Sequence, residues 1–276
     1  DKQLPHTGEE FELADYAQAA KTLDNIDEVA AIIAKTGADG FTRVLQVLSR
    51  NERSADLVAA IERLELADLA GITSLAGIGM LRQVLAIWEA NKENDDETFW
   101  QELFARYSFV FSQLFSSPVV VLQDKAYVGG KDIAGTGGKY PDYLLQNEVT
   151  SHVLIVEIKT PESGLLAATV YRKPDVYAMD RELSGALTQL AKYKQEFMQN
   201  YPTLYTKSEG GFLCADPRCL LVIGSTQQLS EKGMLDSFEH IRRNQRHIEI
   251  ITFDELFRKV EMLLKVLEAR EGEAAE

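Results

Sequence analysis

Residues 151–161 read SHVLIVEIKTP. The apolar run Val153-Leu154-Ile155-Val156 at its centre, bounded by polar residues, predicts a buried β-strand. A buried strand seldom carries charge, yet this one ends on Glu157 and Lys159. Side chains alternate along a strand, so these two share a face with Val153 and Ile155. That face begins apolar and ends charged. Upstream, in YPDYLLQ (140–146), Asp142 follows Pro141 in a second predicted strand. The polar turn Asn147–Thr150 joins the two, and antiparallel pairing through it brings Asp142 beside Glu157. Two carboxylates and one ammonium then converge at one end of a sheet.

Two readings of this cluster are open. One is a half-buried ion pair, which contributes little stability because desolvation offsets its attraction. The other is a divalent-metal site. Two carboxylates suit Mg²⁺, with Mn²⁺ as an alternative, because hard cations prefer oxygen ligands. A cation there lowers the pKa of water and neutralises a phosphate oxygen. A neighbouring lysine can move a proton or offset developing charge.

The rest of the chain sets the context. Its 276 residues are 45% hydrophobic and 26% charged, enough for one large domain or two modest ones. The net charge of −14 argues against a protein that coats nucleic acid non-specifically, though not against a nuclease with a locally basic cleft. Two cysteines, Cys214 and Cys219, flank ADPR, read as a turn. They are too few for a disulfide framework, so a reducing, cytoplasmic setting is expected. The longest apolar region, Leu69 to Trp88, is interrupted by Thr73, Ser74, Arg82 and Gln83, so no membrane span or membrane partner is expected.

Residues 1–95 repeat apolar side chains at helical spacing, with breaks at Gly37, near Asn51 and at Gly71. The last of these faces carries Leu75, Ile78, Leu81, Leu85 and Trp88. This region holds 17 acidic and 9 basic residues, a net of −8, and reads as a packing, assembly or regulatory region. The polar stretch NKENDDET (91–98) places a domain boundary near residue 95, with Asp95 or Asp96 capping the next helix. That helix is apolar nearly all round except for Glu102. From there the pattern becomes a helix, three strands able to pair as a meander, a long helix over 180–200, and then strand, helix, strand, helix. This predicts an α/β fold over 96–276, a mixed sheet flanked by helices.

The pairs PD at 141–142 and EIK at 157–159 resemble the PD-(D/E)xK signature of restriction-endonuclease-like nucleases. QLAKY (189–193) resembles the QxxxY element of the RecB-like branch; Gln189 and Tyr193 are four apart and share a helix face. Taken with FWQELFARYSFVFSQLF, the glycine-rich loop before PDYLL, and SGALTQLAKYKQEF, these motifs resemble the nuclease domain of the Shedu family of bacterial anti-phage defence proteins over roughly residues 96–260. The resemblance implies metal-dependent cleavage of double-stranded DNA, by nicking, in a homotetramer. It implies Asp142 and Glu157 as metal ligands, Lys159 as the catalytic lysine, and Gln189 as a cleft residue positioning water or phosphate, with Tyr193 beside it. Glu102 is the expected extra acid at the metal site; its alternative is an i,i+4 pair with Arg106. A repair exonuclease of the RecB-like branch, or a non-catalytic DNA-end-binding scaffold, would share many of these motifs.

Phosphate contacts are expected from Lys139, from Arg172 and Lys173 on a loop after the active strand, and from Arg242 and Arg243 in IRRNQRH. For the last two the alternative is a basic helix C-terminus complementing the macrodipole. GTGGKY is not a Walker A loop: Ile133 occupies the position of the first glycine and Tyr140 that of the Ser or Thr.

Overall fold

The computed structural model describes residues 66–115, 118–131, 136–208 and 211–274. The helical faces expected before residue 66 lie outside them. The chain divides into two compact units, 1–83 with 264–276, and 84–263. Helix α1 (Leu66–Ala90) continues through Gly71, where a break was expected. A helix tolerates an isolated glycine at a cost of about 1 kcal/mol. Arg82 and Glu268, both in the first unit, form a 2.9 Å ion pair.

The second unit is built on a five-stranded mixed sheet in the order β1 (Val119–Asp124), β2 (Tyr143–Asn147), β3 (His152–Ile158), β6 (Leu213–Val222), β7 (Ile248–Ile251). The first three strands are antiparallel, whereas β6 and β7 run parallel to β3. The central strand β3 is buried from Val153 to Ile158, as its continuous apolar run requires.

One face of the sheet packs against α4 (Arg181–Lys207) and α5 (Met234–Arg243). Val153, Ile155, Cys219 and Leu221 meet Leu183, Leu187, Leu190, Phe197 and Phe238 there. The helical stripe starts cleanly because Asp180 caps α4, its carboxylate accepting from Glu182 N. The other core is aromatic. Trp100 and Phe104 of α2 (Glu97–Arg106) pack with Trp88 and with Phe253 and Phe257 of α6 (Phe253–Ala274). Phe111 of the short α3 (Phe109–Ser112) adds its ring against Tyr143. Trp100 is fully buried, and its indole N–H donates to Asn94 O at 2.9 Å.

Three differences from the sequence reading have local causes. Strand β1 ends at Asp124 rather than running to residue 128, because Lys125 adopts a positive φ of 44° and turns the chain. A hairpin of β4 (Leu166–Arg172) and β5 (Val176–Met179) occupies the stretch read as loop. ADPR lies inside β6 as a bulge: His152 pairs with Leu213 and Leu154 with Arg218, so β6 advances five residues while β3 advances two. No helix among the described residues is long and apolar enough to cross a membrane.

Candidate active site

The β2–β3 pairing sets the site. Tyr143 lies opposite Val156 and Leu144 opposite Ile155, so Asp142, just before β2, falls opposite Glu157. Asp142 Oδ2 accepts from Ile158 N at 2.7 Å, which fixes the carboxylate across the strand end. Lys159 continues β3 by one bond, donating its backbone N–H to Val222 O at 2.9 Å. Its side chain folds back over Glu157, with Nζ 3.0 Å from Glu157 Oε1.

Two helices complete the cluster. From α4, Gln189 Nε2 donates to Glu157 Oε1 and, at 2.9 Å, to the hydroxyl of Tyr193 one turn on. From α2, Glu97 Oε2 lies 3.2 Å from Lys159 Nζ. Gln101, one turn after Glu97, donates to Glu97 Oε1 at 3.1 Å and to Asp142 Oδ1 at 2.6 Å. The cap explains the placement of Glu97: Asp96 accepts from Thr98 N, so Glu97 is the first residue of α2.

The expected site residues Asp142, Glu157, Lys159, Gln189 and Tyr193 are thus joined by hydrogen bonds and ion pairs, through Glu97 and Gln101. Glu102, expected as a metal-site acid, is not part of the cluster. It is exposed and forms no hydrogen bond or ion pair with a described residue, Arg106 included. At about 100° per residue, Gln101 lies about 40° from Glu97 around the helix, whereas Glu102 is turned about 140° away. Glu97 and Gln101 were missed, although a signal was present. They flank the buried stripe of Trp100, Leu103, Phe104 and Tyr107, whereas Glu102 falls on the opposite side.

The site holds charge against its solvation. Glu157 is 2% exposed and Asp142 7%. Burial, reinforced by the Asp142 charge, pushes the Glu157 carboxyl up to about 8. Burial likewise raises Asp142 to about 6, against the opposing pull of the Ile158 N–H. Burial alone would lower the Lys159 pKa, but Glu157 and Glu97 reverse it, and the ammonium is held above its ordinary value. Glu157 Oε2 is buried with no hydrogen-bond partner. Among the described residues no three of His, Cys, Asp and Glu are gathered to hold a metal ion, so the site offers a carboxylate pair. That pair fits a hard divalent cation. All its donors are oxygens, both acids are destabilised as anions, and one buried oxygen lacks a partner. A cation held by two carboxylates keeps several waters, as Mg²⁺ does.

The expected phosphate contacts fare unequally. Lys139 is half-buried, Arg172 ends β4, and Lys173 is exposed in the turn after it. Arg242 is paired within the protein: both carboxylate oxygens of Glu255 accept from its Nη1 at 2.8 Å, and Glu239 pairs with its Nη2. Its guanidinium ties α5 to the first turn of α6. Arg243 pairs with Glu239 at 3.2 Å but leaves 77% of its side chain exposed.

A model of the family described as "Shedu protein SduA, C-terminal" matches residues 94–257. The Shedu protein SduA of Bacillus cereus (strain B4264) is 33% identical over 250 residues, which cover 88% of this chain. The chain spans 66% of that relative's length. With more than half of its residues inside the family match, and the matched segment holding every residue of the cluster, this chain belongs to the Shedu SduA family.

Proposed function

We propose that the chain is a Mg²⁺-dependent endonuclease of the PD-(D/E)xK type that nicks double-stranded DNA in anti-phage defence, acting as a homotetramer. The observation that carries the catalytic part is the meeting of Asp142, Glu157 and Lys159 at one sheet end, with Glu157 Oε2 buried and unpartnered. Membership of the Shedu family supports the defence role.

Asp142 and Glu157 would hold the cation. When bound, it supplies positive charge to a phosphate and makes water easier to deprotonate. The remaining work falls to the side chains. Lys159, kept protonated by its two acidic neighbours, offsets the negative charge that develops on the attacked phosphate. Gln189 ties up Glu157 Oε1 and so orients the carboxylate with Oε2 free. Tyr193 accepts from the same amide and holds Gln189 against the site. Gln101 donates to Asp142 Oδ1 while Ile158 N holds Oδ2, so both oxygens of that carboxylate are fixed in place.

The test is incubation of the chain with covalently closed supercoiled plasmid and with linear duplex, in Mg²⁺ and in chelator. Nicked circles in Mg²⁺ alone, lost by about 10²–10⁴ in rate in a folded Lys159→Ala variant, are expected. Degradation of linear DNA with closed circles intact would identify an exonuclease. Cleavage of neither, or near-normal cleavage by Lys159→Ala, refutes the assignment.

A further inference from the structure

Two described stretches between β1 and β2, residues 125–131 and 136–142, lead to Asp142 and are not used by the chemistry above. We propose that these two stretches form a stacking arm for a nucleobase that has left the helix, so that the substrate of this site is DNA locally opened at the point of cleavage. The inference rests on the nuclease reading.

The arm's two flanks, residues 125–131 and 136–142, are held in register. Val128 N donates to Lys139 O at 3.0 Å and Lys139 N to Gly129 O at 2.9 Å; Lys125 N donates to Asp142 O at 2.9 Å. Ala126 and Val128 are buried in the α4-side core, which anchors the base of the arm. Gly129 lies against α4 so closely that a Cβ there would be 2.3 Å from the Asn200 amide. The arm is therefore seated on the helix that carries Gln189 and Tyr193.

Its outer surface has an unusual content for so acidic a chain. The rings of Tyr127 and Tyr140 lie 5.6 Å apart at 50°. Lys131 Nζ sits 4.6 Å over the Tyr127 ring, and that residue's backbone N–H donates to the Tyr127 hydroxyl at 3.3 Å. The Tyr140 ring lies over bare backbone: a Cβ on Gly138 would come within 2.7 Å of it. Tyr140 nonetheless remains 43% exposed, two residues from Asp142. Lys131 and Lys139 form no ion pair with any described residue, unlike Lys194 and Arg242, which are neutralised by acids, whereas the Lys125 charge acts on the Asp142 carboxylate.

The exposed Tyr140 ring, with the half-buried Tyr127 behind it and lysines on either side, forms a surface for single-stranded nucleic acid: the cations meet phosphates and the Tyr140 ring meets a base face. Inside a continuous duplex each base face is covered by its neighbours. A tyrosine ring gains stacking only from a base that has been unstacked. An exposed ring two residues along the chain from Asp142 thus selects DNA that is gapped, frayed or distorted there.

The experiment measures anisotropy of the full chain, in chelator, on a DNA dumbbell closed at both ends and on the same dumbbell with a short single-stranded gap. Tighter binding to the gapped form is expected. Tyr140→Ala should weaken the gapped complex by roughly 5- to 100-fold and the intact one by no more than about twofold. Tyr140→Phe, which keeps the ring, should retain gap preference, and quenching of 2-aminopurine placed in the gap should vanish in the Ala variant alone. Equal weakening on both DNAs, no weakening on either, or a Phe variant as poor as Ala overturns the inference. Cleavage of plasmid by the unaltered chain is scored in parallel. Cleavage without a selective Tyr140 effect removes the stacking arm alone, and a selective effect without cleavage removes the nuclease reading alone.

Discussion

Replacing Glu157 with Gln should change how the stability of the metal-free protein responds to pH. The Glu157 carboxyl titrates at about 8 in the folded chain against an ordinary 4.5, because burial and the Asp142 charge disfavour its anion. The folded state therefore binds this proton more tightly than the unfolded state. The associated stability is fully present below pH 4.5 and is lost as pH rises through about 8. Each proton held by the folded state alone gives a slope of about −1.4 kcal/mol per pH unit. Asp142 adds a similar slope, which ends near its own value of about 6. Between about pH 6 and 8 the decline thus belongs to the interacting Asp142–Glu157 pair, and is on the order of 3 kcal/mol. For a chain of this size that is on the order of 5–10 °C in melting temperature. The substituted amide cannot ionise and should remove this decline. It also places an N–H where Oε2 has no partner, a loss of about 1–3 kcal/mol that does not depend on pH. The comparison is therefore between slopes rather than absolute melting points. Calorimetric scans of both proteins in chelator across this range provide it. Mg²⁺ favours the ionised pair, so its addition should raise the melting point of the unaltered protein more at the alkaline end than at the acid end. Parallel curves for the two proteins in chelator would show that Glu157 is not a burdened carboxylate and would refute the electrostatic account of the site.

The sheet end was legible in the sequence because strand geometry left little choice. The period-2 pattern of VLIVEIK, with a turn of fixed length back to PDYLL, places Asp142 opposite Glu157 whatever surrounds them. Gln189 and Tyr193 were legible because one helical turn separates them and their helix has a clear buried stripe. The contribution of α2 was legible only to within one turn. Its first residue carries the site acid, but the apolar residues on nearly every side of ETFWQELF hid which face pointed inward, and Glu102 stood out by contrast. The β4–β5 hairpin was missed because it packs as a separate two-stranded sheet with mostly exposed or half-buried residues, so it lacks the buried-face alternation that marks a strand. The acidic partners of Arg242 were not legible because a basic helix end has the same composition whether it meets phosphate or a carboxylate from another helix. Glu255 is distant in sequence and only the fold brings it into contact.

Arg242→Ala removes the two bonds to Glu255 and the pair with Glu239, in a setting where 24% of the arginine side chain remains exposed. A loss of about 1–2 kcal/mol in chemical denaturation is expected. The salt slope of DNA binding should stay unchanged, and a slope flatter by about one unit would show that this guanidinium reaches phosphate after all. The last prediction separates the two acids of α2. Glu97 touches Lys159 at 3.2 Å and Gln101 at 3.1 Å, so Glu97→Gln weakens the hold on the ammonium while leaving the helix and its Asp96 cap in place. A misplaced charge in a preorganised site lowers rate more than binding. Cleavage by Glu97→Gln should therefore fall by about 10- to 100-fold in kcat, with the Mg²⁺ concentration for half-maximal rate shifting less. Glu102→Ala should cleave within about twofold of the unaltered protein, because an exposed side chain on the far side of α2 is about 140° from the Glu97 direction. The opposite ranking, with Glu102→Ala inactive and Glu97→Gln unimpaired, would mean that α2 turns its other face to the site during cleavage. The network running from Glu97 through Lys159 and Glu157 to Gln189 would then not be the working arrangement.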